Sequence, residues 1–245
     1  MGLVYIPGVG RTIGGATRWI GVGPVVFQPS EVAKLALIVL LAYSLEKKSA
    51  KIRSFGVGFA PHVVIMSIVG VMILLQRDFG AAATIAAITW LMMFAAGVRL
   101  SYLMSVFVLA MPLAWKLVGG SGYRRRRILA FLNPWSDQYG SGFQMIQSLV
   151  AFNEGGWFGR GLGEGQQKLF YLPEAHTDFI FSVIGEELGL VGVLIVIGLF
   201  GFFCYRGLRI ALGAPDAFGR YLAVGCTLLI SLEAVLNMGV VLGML

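Results

Sequence analysis

The chain has 245 residues, of which 58% are hydrophobic and 13% charged; soluble domains carry charge at about a quarter of their positions, so an ordinary water-soluble domain is excluded. Thirty-four glycines and ten methionines in an apolar, unrepetitive sequence of mean hydropathy +0.83 also exclude a disordered tail and a fibre. A net charge of +7 would point to nucleic acid in a soluble chain, but here Lys and Arg sit in short links between apolar runs, where they orient membrane spans, and no nucleic-acid partner is expected.

A bilayer core of about 30 Å needs about 20 apolar residues in a helix, and six runs approach that length. The expected fold class is therefore all-α, a polytopic membrane helical bundle. Pro29 to Leu45 comes first, with Ser30 as the expected N-cap and Glu46-Lys47-Lys48 closing it. Phe55 to Leu75 follows, and its lone His62 reads as a satisfied packing residue. Phe79 to Val98 is rich in small residues (Gly80, Ala81, Ala82, Ala83, Ala86, Ala87), which lets neighbouring helices approach closely and predicts an interior position. Ser101 to Val118 comes next; after a long loop, Phe179 to Tyr205 and Tyr221 to at least Leu242 complete the set. Cys204 and Cys226 lie inside apolar runs without metal-type spacing and read as inert thiols.

Taking the 46–54 loop as cytoplasmic puts Lys47, Lys48, Lys51, Arg53, Arg99, Arg206, Arg209 and Arg220 inside, against Arg11, Arg18 and Arg77 in short outer segments. Arg124 to Arg127 dissent, because they follow a span directly and would lie outside. The chain opens on what reads as the tail of an apolar segment and stops at Leu245 while still apolar, so a fragment of a larger protein is expected.

Residues 119–178 form a loop too long for a simple connector. It carries Phe131, Trp135, Phe143, Trp157 and Tyr171, and Phe143 to Phe152 has helical spacing of apolar residues without charge, predicting a short helix at the interface or tucked into the protein. The aromatics could equally be a membrane-interface belt. The glycine-rich stretch Gly155 to Gly165 lacks the Lys and Ser/Thr of a phosphate-binding P-loop.

The loop ends at Tyr171-Leu172-Pro173-Glu174-Ala175-His176-Thr177-Asp178, so Asp178 sits where the chain re-enters the membrane, a costly place for a carboxylate unless it meets water, a cation or a partner. It could cap the following helix or do chemistry, and His176 could orient it or serve as a structural donor. On one helix Asp178 and Glu186 would lie within about 80° of each other, close enough to share a polar cavity. Glu31 and Lys34, three apart, can pair, with snorkelling of Lys34 as the alternative; Glu233 and Asn237 are spaced to bond a neighbouring helix.

Several segments in matching order resemble the SEDS family (shape, elongation, division and sporulation), the FtsW/RodA/SpoVE peptidoglycan polymerases: Gly15-Ala16-Thr17-Arg18-Trp19-Ile20, Gln28-Pro29-Ser30-Glu31 with Lys34, Gln76-Arg77-Asp78-Phe79-Gly80, Asn133-Pro134-Trp135, Gly142-Phe143-Gln144 with Gln147-Ser148, and Leu172 to Gly189. Together they span nearly the whole chain, and Glu174-Ala175 before His176 looks more like the division branch than the rod-elongation branch. Where the family commonly has Pro, this chain has Arg77, which bears on the turn there. The resemblance implies a single membrane domain over 1–245, about six spans of the family's about ten, with 119–178 as a large extracytoplasmic loop, which also removes the conflict at Arg124 to Arg127.

It also implies a function: polymerisation of lipid II, the undecaprenyl pyrophosphate-linked disaccharide pentapeptide, into β-1,4 glycan strands at the septum of the bacterial inner membrane. The family's essential loop acid maps onto Asp178, as general base or as ligand of a divalent cation such as Mg or Mn, the one cofactor considered. Substrate contacts are expected from Arg18, Trp19, Lys34, Arg77, Asp78, His176, Thr177 and Glu186. Expected partners are a class B penicillin-binding protein transpeptidase and other divisome membrane proteins. A lipid II flippase and a non-catalytic divisome scaffold are the competing readings, since buried Glu31, Lys34, Glu186 and Glu233 suit a transporter as well.

Overall fold

The computed structural model describes residues 2–6, 9–13, 16–22, 25–119, 135, 138, 140, 142–166 and 177–244. Asn133, Pro134, Arg124 to Arg127 and His176, singled out from the sequence, lie outside these described residues. Helices dominate: α1 (Pro29–Lys47), α2 (Ala60–Leu75), α3 (Phe79–Ala95), α4 (Leu100–Gly119), α5 (Phe143–Gly155), α6 (Ile180–Leu212) and α7 (Ala217–Val241). Their positions match the expected spans and the short loop helix. Phe55–Leu75, which takes in a π-helical turn ahead of α2, together with α6 and α7 are each long and apolar enough to cross a membrane, and α3 is a shorter apolar helix. Side chains pointing outward from α1 (Val32, Leu35, Val39, Tyr43) and α2 (Val64, Ile68, Val71, Leu75) are apolar, while Lys34, Ser44, His62, Thr84 and Thr89 are buried. That inversion is what a lipid solvent selects.

An element the all-helical expectation did not include precedes α1. Strands β1 (Gly10–Ile13), β2 (Ala16–Val22) and β3 (Val25–Phe27) form an antiparallel sheet in the order β1-β2-β3, with a bulge between Arg11 and Thr12. The two-residue links Gly14-Gly15 and Gly23-Pro24 are the hairpin signal that was there to be read.

The chain divides into two compact units, Met1–Phe107 with Cys204–Ile230, and Val108–Phe203 with Ser231–Leu245. In the first, α3 packs against both α1 and α2, but its buried side chains are chiefly Thr84, Ile85, Ile88, Thr89, Met92 and Met93; of the small residues that predicted an interior position only Ala81 is buried, and Gly80 and Ala83 are exposed. His62 is fully buried; its Nδ1–H donates to the Gly58 carbonyl at 2.8 Å and Nε2 bonds the Ser44 hydroxyl at 3.0 Å, tying α2 to α1 and the π-helical turn. Gly225 admits α7 against Ile38 and Met92, where a β-carbon would collide. Ser30 does not cap α1 as expected: Gln28 holds the N-cap position without a side-chain bond and Pro29 begins the helix. Proline suits the first helical turn because it has no N–H to satisfy.

In the second unit α5 is tucked into the protein. The buried Ser148 hydroxyl donates to the Val241 carbonyl at 2.6 Å and accepts from Ser182 at 2.8 Å, joining α5 to α6 and α7. Phe152 stacks edge-on against Phe181, beside a cluster of Phe179, Val183, Val193 and Val241.

Between α2 and α3 the chain reverses through a helix-terminating turn. The amide of Arg77 donates to Leu74 and that of Asp78 to Ile73, with Arg77 in the left-handed region at φ 60°. This Schellman arrangement needs both an N–H at residue 77 and a positive φ, and proline offers neither, so Arg77 is a genuine departure from the proline common in the family. The left-handed conformation costs a non-glycine residue about 1 kcal/mol. Arg77→Gly is therefore expected to raise the thermal unfolding midpoint by a few degrees; a lowered midpoint in a detergent melting curve would show that the arginine side chain contributes more than the strain costs.

Candidate functional site

The first unit gathers polar groups around the start of α3, on the side expected to be extracytoplasmic. Asp78 is the N-cap of α3, its Oδ1 accepting from the Ala81 amide at 3.0 Å. Its Oδ2 accepts from Gln28 Nε2 at 2.6 Å and lies 3.9 Å from Arg18 Nη1 on β2. One carboxylate thus joins the sheet, the residue ahead of α1 and the start of α3. Arg77 beside it is exposed, and among the described residues its guanidinium has no ion-pair partner. Lys34, 5% exposed, pairs with Glu31 at 2.8 Å, as the three-residue spacing predicted.

Three polar atoms here are buried without a partner among the described residues: Arg18 Nε, Trp19 Nε1 and Ser30 Oγ. Buried donors are ordinarily satisfied, so these groups are suited to a polar partner. Two are N–H donors, one on a guanidinium, and the chemistry they suit is anionic oxygen. Trp19 and Ser30 gain from this a meaning that sequence spacing alone did not supply.

The second unit holds Asp178 and Glu186, and the two have different surroundings. Asp178 precedes the first turn of α6 and is exposed. Its backbone carbonyl accepts from Asn237 Nδ2 at 2.9 Å, so the α7 asparagine does bond a neighbouring element, and the next residue, Phe179, is buried. Among the described residues its carboxylate has neither a hydrogen bond nor an ion pair, so it does not cap α6. Thr177 is exposed next to it.

Glu186, by contrast, is fully buried and engaged. Its Oε1 accepts from the Gln166 amide at 2.8 Å and lies 3.8 Å from Arg160 Nη1, while Arg160 Nη2 reaches Glu154 at 3.3 Å. Around it α6 is broken: Gly189 has φ 66° and ψ −166°, a conformation that favours glycine. The backbone groups released by the break are taken up by the 155–161 segment. Leu190 N–H donates to Gly156 and Val191 N–H to Trp157, and in return Arg160 and Gly161 donate to the carbonyls of Glu186 and Glu187. Gly155 and Gly159 permit this approach, since a β-carbon on either would strike the α6 backbone. Sequence reasoning missed Arg160, Gly159 and Gly189. The recoverable signal was the glycine periodicity of the loop, read only as a failed P-loop.

Arg160→Ala removes the ion-pair partner of a buried carboxylate that also accepts from the Gln166 amide. We expect it to cost about 2 kcal/mol or more and to speed hydrogen exchange at the amides of Arg160, Gly161, Leu190 and Val191, with Gly189→Ala doing the same through backbone strain. Wild-type protection at those four amides in Arg160→Ala would show that the ion pair does not hold the segment in place.

The comparisons with known proteins bear on the family and on the helical fold. The family model for the FtsW/RodA/SpoVE cell cycle proteins matches residues 1–245. A probable peptidoglycan glycosyltransferase FtsW of Geobacter metallireducens is 52% identical over 243 residues, covering 99% of this chain and 65% of that protein. Stage V sporulation protein E of Bacillus subtilis is 44% identical over 243 residues, with 99% and 66% covered. The chain thus spans about two-thirds of the length of these curated relatives. A chain solved in work on the structural coordination of polymerization and crosslinking by a peptidoglycan synthase complex superposes with a TM-score of 0.78 at 32% identity, covering 98% of this chain and 67% of that one. With a family model matched along its entire length, relatives at about half identity and a solved neighbour of the same helical order, this multi-pass membrane chain belongs to the FtsW/RodA/SpoVE family of cell cycle proteins.

Proposed function

We propose that the chain carries the peptidoglycan glycosyltransferase activity named for its FtsW relatives, extending a β-1,4 glycan from lipid II at the outer face of the bacterial plasma membrane during septal growth. The observation that carries this reading is the contrast among three acids. Asp78 is engaged as a helix cap and by Gln28 and Arg18, and Glu186 is engaged by Arg160 and the Gln166 amide, whereas the Asp178 carboxylate is exposed and, among the described residues, has no partner, on a backbone pinned by Asn237 and Phe179. A general base has to be reachable by the proton it takes.

The chemistry explains why one such acid suffices. Glycosidases need a second carboxyl group to protonate a poor leaving group; polyprenyl diphosphate departs as a stable anion and needs only positive charge nearby. In the proposed reaction the Asp178 carboxylate accepts the proton of the acceptor 4-hydroxyl as its oxygen attacks the anomeric carbon. The diphosphate leaves with the bonding electrons, and an α-linked donor becomes a β-linked product. Arg18 and Arg77 meet the phosphate charge, Arg18 through a guanidinium N–H that has no protein partner among the described residues. Lys34 adds charge while held by Glu31. Trp19, His176 and Thr177 contact the sugars and the peptide.

Among the described residues no three His, Cys, Asp or Glu side chains converge to hold a metal. A divalent ion at Asp178 would take its remaining ligands from diphosphate oxygens and water, which suits magnesium, and would supply additional charge neutralisation there. The proposed partner is a class B penicillin-binding transpeptidase, in keeping with the synthase complex of the solved neighbour.

General-base catalysis contributes about 10² to 10⁴ in rate. Asp178→Ala and Asp178→Asn are each expected to lower polymerisation of fluorescent lipid II by that factor, measured by gel resolution of glycan products with the transpeptidase present. Near wild-type rates in both variants at normal expression would remove Asp178 from the mechanism. Arg18→Ala is expected to weaken use of limiting lipid II more than it lowers thermal stability; an unchanged rate at limiting donor would count against a phosphate role.

A further inference from the structure

At the opposite end of the first unit, where α1 gives way to α2, lies a polar cleft that the glycosyl-transfer reading does not use. It has a volume of about 600 Å³ and is lined by Lys51, Arg53, Ser54 and Phe55 from the α1–α2 connection and by Arg99 and Tyr102 from the start of α4. We propose that this cleft binds the phosphodiester headgroup of an anionic phospholipid at the surface expected to be cytoplasmic.

Charge is the first argument. Three cations line the cleft and no acidic residue does; among the described residues no carboxylate pairs with Lys51, Arg53 or Arg99. Orienting the spans would require only that the basic residues sit in the loops. It would not require Arg99, from a separate connection, to line the same cleft as Lys51 and Arg53.

The cleft is also preformed. The 48–58 segment is a run of bonded turns: Lys51 N–H donates to Lys48, Ile52 to Ser49, Ser54 to Lys51 through both its amide and its hydroxyl, and Gly58 to Ser54. Arg99 lies over the Tyr102 ring at 5.9 Å, and Nη1 reaches the phenol oxygen at 3.5 Å. Tyr102 in turn packs edge-on against Phe55 at 5.4 Å and in a tilted arrangement against Phe59 at 5.7 Å. A guanidinium held on an aromatic ring beside an exposed ammonium suits a phosphate oxygen pair.

The third argument is position. Phe55 and Tyr102 are the aromatic residues expected at a membrane–water boundary, and Phe55 is 55% exposed beside the cations. A lipid seated there finds charge for its phosphate and an apolar ring for the upper part of its acyl chains. A soluble anion would use the cations alone, and basic pockets between spans on this side of the membrane are a recognised way of holding anionic headgroups.

The test is native mass spectrometry of the full chain released from detergent, titrated with phosphatidylglycerol or phosphatidylcholine. Wild type is expected to retain phosphatidylglycerol adducts about tenfold more than the Lys51→Gln/Arg53→Gln/Arg99→Gln variant, with phosphatidylcholine adducts equal in both. The charge-keeping Lys51→Arg/Arg53→Lys variant, which leaves Arg99 on Tyr102, should retain most of the wild-type signal. If the triple glutamine variant does not elute as a single species, Arg53→Gln and Arg99→Gln alone are each expected to reduce retention several-fold. Equal phosphatidylglycerol retention in wild type and neutralised variants overturns the proposal. So does displacement of the lipid by inorganic phosphate, which would make this a soluble-anion site, or by a glutamate-rich peptide, which would make it a protein-docking site. Glycan synthesis is read separately, so loss of the Asp178 mechanism leaves this result standing.

Discussion

A backbone inside a bilayer has no water to turn to, so each N–H and C=O released by an irregularity must find a protein partner. The break in α6 at Gly189 is where this chain meets that constraint most directly. Gly189 lies about 14 Å along α6 at the helical rise of 1.5 Å per residue, and the 155–161 segment returns from α5 to pair with the exposed carbonyls and amides on both sides of the break. A buried carboxylate, Glu186, then fixes that segment through the Gln166 amide and Arg160. The loop is thus part of the helix's hydrogen-bonding scheme, and the glycines at 155, 159 and 189 are there because no side chain fits.

The same accounting separates structural from available charge. Carboxylates in an apolar protein are expensive and tend to be matched. Asp78 accepts hydrogen bonds from Gln28 and the Ala81 amide and lies within ion-pair distance of Arg18, Glu31 is matched with Lys34, and Glu186 is matched within the loop. Asp178 differs in being held by its backbone while its side chain is left exposed. The proton transfer proposed for it requires a carboxylate that solvent and substrate can reach. In the first unit the Arg18 Nε and Trp19 Nε1 donors are buried without a partner among the described residues.

Basic residues serve two purposes along the chain. Some sit at helix ends, as Arg77 and Arg220 do, where their charge biases orientation. At the α1–α2 connection they are organised, with Arg99 stacked on Tyr102 and the Lys51 to Ser54 turns bonded to one another. The aromatic contacts from Tyr102 to Phe55 and Phe59 link that surface to the π-helical turn and so, through Gly58, to the buried His62 that ties α2 to α1.

Span positions, the short loop helix, the Glu31–Lys34 pair and the packing role of His62 were legible in the amino-acid order alone, because each depends on residues near in sequence: apolar length, three-residue spacing, a lone polar group in an apolar run. Family membership was legible too, from motifs distributed along the chain. Tertiary structure decided the rest. Whether Ser30 or Pro29 opened α1, whether Asp178 capped its helix, and whether Asp178 and Glu186 shared surroundings all depend on partners far away in sequence: Gln28 and Arg18 on Asp78, Arg160 and Gln166 on Glu186, Asn237 on Asp178. Acids look alike in a sequence, and only the distance to the nearest donor distinguishes one that holds the fold from one left free to accept a proton.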